Sequence, residues 1–130
     1  MNDYDFYLDL SRGSTLTLED ADSILKKMIL CVESLKVKDK MDCYNGILKA
    51  AFEYTSIRCK WELMDREEKI NEDNYRTACH DTFISSLNSL SGRAAAEGVD
   101  LSWREELGED RKRIGDFACY ITYINGIANR

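Results

Sequence analysis

Two side chains in the stretch YRTACHDTFISSLNSLSGR, Arg76 and His80, are suited to acid–base and anion chemistry. His80 is the only histidine in the chain, and imidazole is the side chain whose ordinary titration falls near neutral pH. The Arg76 guanidinium stays charged and presents a planar fork of donors that matches an oxyanion. Four residues apart on a helix, the two side chains lie one turn from each other. On a helical wheel, Tyr75, Cys79, Phe83, Leu87, Leu90 and Ala94 mark an apolar arc. Arg76 falls inside that arc and His80 near its edge, whereas Thr77, Asp81 and Asn88 point the other way.

A polar side chain turned toward a core needs a partner, because burying it unpaired is costly. Glu62 and Asp116 each interrupt an apolar pattern and are the carboxylates expected to face inward; Arg58 and Glu62 stand at i,i+4 spacing within one apolar arc. The expectation is a semi-buried polar cluster drawn from Arg58, Glu62, Arg76, His80 and Asp116. Such a cluster has two uses. It can fix helix register, with Arg76 reaching out to solvent. Alternatively it forms a site where His80 handles a proton and an arginine steadies an anion.

Other chemistries find little support. The glycines are scattered, with no phosphate-cradling loop, and Ser89, Ser91 and Ser102 lack a nucleophile-elbow context. EELGED lacks the spacing of a calcium loop. Cys31, Cys43, Cys59, Cys79 and Cys119 form no C-x-x-C pair and sit in helical patterns. They read as buried thiols in a reducing cytoplasm, with no metal site and no cofactor expected. The RKR run at 111–113 stands beside Glu109 and Asp110 and is expected to be neutralised there.

An arginine, a short spacer and a histidine on one helix of an all-α chain resembles the HEPN ribonucleases. The resemblance implies a dimer in which the Arg and His of two protomers meet and cleave RNA without metal. It would make His80 the acid–base residue and Arg76 the phosphate stabiliser. The spacer in R76-TAC-H80 is shorter than that family usually has. Separately, RTACHDTFISSLNSL followed by GVDLSWREELGEDRKRIGDFACY is similar to a small bacterial family of unassigned function, over the second half of the chain. That likeness implies a bacterial, intracellular, single-domain protein and carries no activity with it.

The elements that must position these residues are helical. At 130 residues the chain has the size of one domain with its own core, residues 1–130. The absence of proline favours long unbroken helices. Apolar periodicity predicts helices over about 18–37, 40–69, 73–96 and 110–128, with a short helix from Ser102 to Gly108 opened by a capping box at Ser102 and Glu105. Residues 1–14 are expected to be an apolar N-terminal arm, and residues 15–130 an all-α up-and-down bundle of four main helices and one short one. DREEK, near position 67, reads as a solvated charge run closing the second helix.

The last of these helices is apolar or small nearly all round, so it is central to the fold or lies in an interface. Gly115, Cys119, Tyr120, Thr122, Tyr123 and Gly126 are expected to meet a partner, either a second copy or another protein. A net charge of −6 argues against nucleic acid or anionic lipid as that partner, and no stretch is long enough to span a membrane. Two readings follow. The leading one is a non-enzymatic interaction module of the cytoplasm, and the rival is a HEPN-like ribonuclease using Arg76 and His80.

Overall fold

A computed structural model describes residues 15–128, so the expected arm at 1–14 lies outside the described residues. The described residues form an all-α up-and-down bundle: α1 (Leu18–Ser34), α2 (Lys40–Leu63), α3 (Arg66–Glu97), the short α4 (Ser102–Leu107) and α5 (Arg111–Ala128). Helix α2 packs most extensively on α3 and α5; α1 covers α4 and α5 and also touches α2.

The helix ends follow from local chemistry. Thr17 caps α1, its hydroxyl accepting from the Asp20 N–H at 3.0 Å, as a cap before two acids should. At the other end, α3 stops at Gly98, whose φ of 71° is a left-handed conformation that a glycine adopts without a Cβ clash. Two expectations need correction. The second helix ends at Leu63 rather than within DREEK, because Asp65 is an N-cap: its carboxylate accepts from the Glu68 N–H at 2.9 Å, and Glu67 and Glu68 stabilise the first turn of α3. Helix α4 is not opened by a capping box at Ser102. There Asp100 accepts from both the Ser102 hydroxyl and backbone N–H, at 2.7 and 3.3 Å, and Ser102 is the first helical residue.

The core is continuous. Phe83 and Leu87 from α3, Phe117 and Ile121 from α5, Trp103 and Leu107 from α4 and Met28 from α1 are fully enclosed. Each such side chain contributes about 1.5–3 kcal/mol of burial. Along α5 every residue from Ile114 to Ile121 is buried, as expected of a central helix. Among the described residues no helix is long and apolar enough to cross a membrane.

Candidate functional site

The polar residues gather where the end of α2, the first half of α3 and the start of α5 meet. Asp116 is fully buried and holds Arg58 from α2, Oδ1 to Nη2, at 2.9 Å; the Arg58 side chain is 15% exposed. The pair is a direct ionic contact rather than a well-aligned hydrogen bond. On its other oxygen Asp116 accepts from Lys112 at 3.0 Å, one turn earlier on α5. Arg58 Nη1 also donates to the Cys119 sulfur at 3.6 Å. Burial alone would lower the pKa of Arg58. The neighbouring Cys119, Tyr54 and Asp116 more than reverse that, so the guanidinium is held above its ordinary value and remains a cation.

His80 is 7% exposed and bonded to a backbone carbonyl, that of Arg111, at 2.9 Å. A carbonyl only accepts, so Nε2 carries the proton and Nδ1 holds a lone pair. The Tyr54 ring stands edge-on to the imidazole with centroids 5.0 Å apart. Nδ1 is buried with no hydrogen-bond partner among the described residues. Burial lowers the His80 pKa first of all; the Arg111 carbonyl opposes this, whereas the charges of Arg111 and Arg76 add to it. The ring is therefore neutral at pH 7.

Arg76 does not enter the core as the apolar arc implied. Its guanidinium lies over the Trp61 ring at 4.4 Å, a cation–π contact across the α2–α3 pair. One nitrogen reaches Asp73 at 3.3 Å, while Nε is buried and unpartnered among the described residues. Of the five expected cluster members, Arg58 and Asp116 are joined, and Arg76 and His80 line the same cavity as Arg58. Glu62 lines it too, and the correction concerns its burial. It stands exposed at the rim of that cavity, since it falls in the last turn of α2, beyond the stretch of that helix whose residues are buried.

The remaining lining comes from Tyr54, Trp61, Thr77, Arg111 and Lys112. Arg111 and Lys112 were expected to be neutralised by Glu109 and Asp110. Their partners are instead tertiary and one turn ahead: Arg111 pairs with Asp81 on α3 at 3.0 Å, and Lys112 with Asp116. Asp110 is occupied in capping α5, accepting from the Arg113 N–H at 3.0 Å. Nothing in the local sequence pointed to Arg111; the signal for Lys112 was its i,i+4 spacing to Asp116.

The small strip of α5 is used inside the chain. Gly115 faces the Tyr54 ring closely enough that a Cβ would lie 2.9 Å from its hydroxyl. Cys119 and Thr122 meet Thr55 at 3.7 and 3.3 Å. Gly115, Cys119 and Tyr120 are buried, which leaves them no surface for a second molecule: the close approach that small residues permit is made to α2. Thr122, Tyr123 and Gly126 remain half-buried. Among the described residues no three His, Cys, Asp or Glu side chains gather as a metal site needs.

Chemically, the arrangement offers four cations and a neutral imidazole around one polar hollow, with a buried carboxylate beneath. It suits holding an anion better than moving a proton, since Nε2 of His80 is committed to a carbonyl. No protein family, curated protein or solved structure matches this chain.

Proposed function

We propose that this chain is a non-enzymatic interaction module that binds a second copy of itself or another protein, in a reducing bacterial cytoplasm. One observation carries the reading: large apolar side chains of the α2–α3 pair face solvent. Leu63 is 80% exposed, Ile70 67% and Phe52 55%, and Tyr75 is also exposed. Phe52 and Leu63 are about three turns apart on α2 and so share one face. Exposed apolar residues grouped on one element pair favour an interaction surface, whereas single ones are ordinary. Among the described residues none of the five cysteines is joined in a disulfide, an arrangement that suits the compartment. The test is a photo-crosslinking residue at position 63 in cells, with sedimentation equilibrium of the purified chain. Adducts, or a concentration-dependent mass that Phe52→Ser and Leu63→Ser abolish without lowering Tm, are expected. A monomer that forms no adduct would sink the reading.

A HEPN-like ribonuclease remains as the second reading, favoured by one observation: Arg76 and His80 line the same open cavity. The hydrogen bond that ties Nε2 of His80 to the backbone weighs against it. Cleavage of labelled single-stranded RNA that is lost in His80→Ala and Arg76→Ala, with both variants still folded, would support it. Absence of cleavage by the unaltered protein would remove it.

A further inference from the structure

The cavity between α2, α3 and α5 has a volume of ≈440 Å³, a size suited to a small molecule rather than to a bare ion. Four of its lining side chains are cationic, Arg58, Arg76, Arg111 and Lys112, and only Glu62 is a carboxylate. The carboxylates that pair with these cations stand elsewhere: Asp116 lies beneath Arg58 and Lys112, Asp73 and Asp81 on the outer surface of α3. None of the three lines the hollow. In a chain of net charge −6, cations from three helices converge on one concave place.

Two polar atoms at this place are unmatched. Nε of Arg76, a donor, and Nδ1 of His80, an acceptor in the neutral ring, are buried with no hydrogen-bond partner among the described residues. Buried polar atoms are nearly always satisfied, and both of these belong to side chains that line the cavity, so a ligand carrying both functions would satisfy them once a small side-chain shift uncovers them. A phosphate group bearing one proton offers both: its unprotonated oxygens accept from arginine, and its P–OH donates to an imidazole nitrogen. Inorganic phosphate keeps such a proton at neutral pH, and a phosphomonoester carries one in its monoanionic form. A carboxylate or a sulfate has no such donor at neutral pH. The forked guanidinium groups match phosphate oxygens in geometry as well as charge.

We propose that this cavity binds a phosphate group, either free or at the end of a small phosphomonoester, with Arg76 donating to it and Nδ1 of His80 accepting from it. The site requires neither a protein partner nor RNA.

The test is thermal unfolding and isothermal titration of the full chain with inorganic phosphate, glycerol 2-phosphate and sulfate, each against chloride at equal ionic strength. Phosphate or glycerol 2-phosphate should raise Tm more than sulfate or chloride. Arg76→Gln should weaken binding about tenfold, the loss of one charge-assisted contact. Arg111→Gln should also weaken it, and Lys26→Gln, on the far helix α1, should leave it unchanged. Arg76, Arg111 and Lys26 reach solvent, and melting without ligand checks that each variant folds. Tighter binding of glycerol 2-phosphate assigns the site to a phosphorylated metabolite, and tighter binding of inorganic phosphate to the free anion. A Tm rise no larger in phosphate than in sulfate or chloride overturns the proposal. So does binding that is undiminished in a folded Arg76→Gln/Arg111→Gln chain.

Discussion

Replacing Asp116 with asparagine tests the organisation of the site at its deepest point. The carboxylate is wholly buried, and the Arg58 side chain that it holds is 15% exposed. Removing one partner strands a charge in a place where water cannot fully replace the lost contact. Such a loss costs about 3–5 kcal/mol. The second contact, to Lys112, adds little because that side chain is 58% exposed and resolvates when released. Asparagine keeps a carbonyl dipole beside Arg58 in place of the charge, which offsets part of the loss and places it near the lower figure. For 130 residues, an unfolding entropy of about 2.1 cal/mol/K per residue converts 3 kcal/mol into a Tm fall of about 11 °C. Urea unfolding with an unchanged m value measures the same quantity. Arg58→Met combined with Asp116→Asn removes the stranded charge, so the pair should cost less than the sum of the single variants. A loss below about 1 kcal/mol in Asp116→Asn would refute the reasoning, because it would mean that Arg58 escapes to solvent. A double variant that equals or exceeds the sum would do the same.

Two further outcomes follow from the same region. Gly115→Ala places a methyl group 2.9 Å from the Tyr54 hydroxyl; overpacking of about 1–3 kcal/mol should outweigh the helix-propensity gain of about 1 kcal/mol. Thermal melting should show a lowered Tm, partly restored by Tyr54→Phe, and a raised Tm in Gly115→Ala alone would count against the packing described. The His80 pKa is lowered below its ordinary value of 6.5 in the folded chain. The unfolded chain then takes up the proton first, so the contribution of His80 to stability is present above pH 6.5 and lost as pH falls through the folded pKa. Denaturant titrations over about pH 5–7 should show this slope flattened in His80→Asn, and an identical slope in both chains would contradict it.

The legible parts of this chain were those with local causes. Thr17, Gly98 and the apolar run of α5 announce themselves by cap chemistry or by period, and the structure has them in those roles. Asp116 was legible as an inward carboxylate because α5 is otherwise uncharged over two turns. The α2–α3 boundary was hidden because Asp65 and Glu68 sit within a run of charges that also suits a helix surface. Arg111 was misjudged because its counterion, Asp81, lies on another helix. Sequence neighbours suggested Glu109 and Asp110, and charge pairing in space need not follow adjacency in the chain. The small strip of α5 correctly implied close approach, but periodicity alone does not distinguish a helix of the same chain from one of a partner.

The contact between Arg58 and Cys119 joins residues 61 positions apart, whereas α2 and α3 are joined by Met64 and Asp65 alone. Local pairings form before distant ones because closing a long loop costs more chain entropy. The α2–α3 hairpin can therefore assemble while Arg58 is still hydrated, and its charge meets Asp116 only when α5 docks. The ion pair would then form after the rate-limiting barrier, so that breaking it speeds unfolding and leaves the folding rate nearly unchanged. A chevron for Asp116→Asn in which the folding limb shifted instead would reverse that order of assembly.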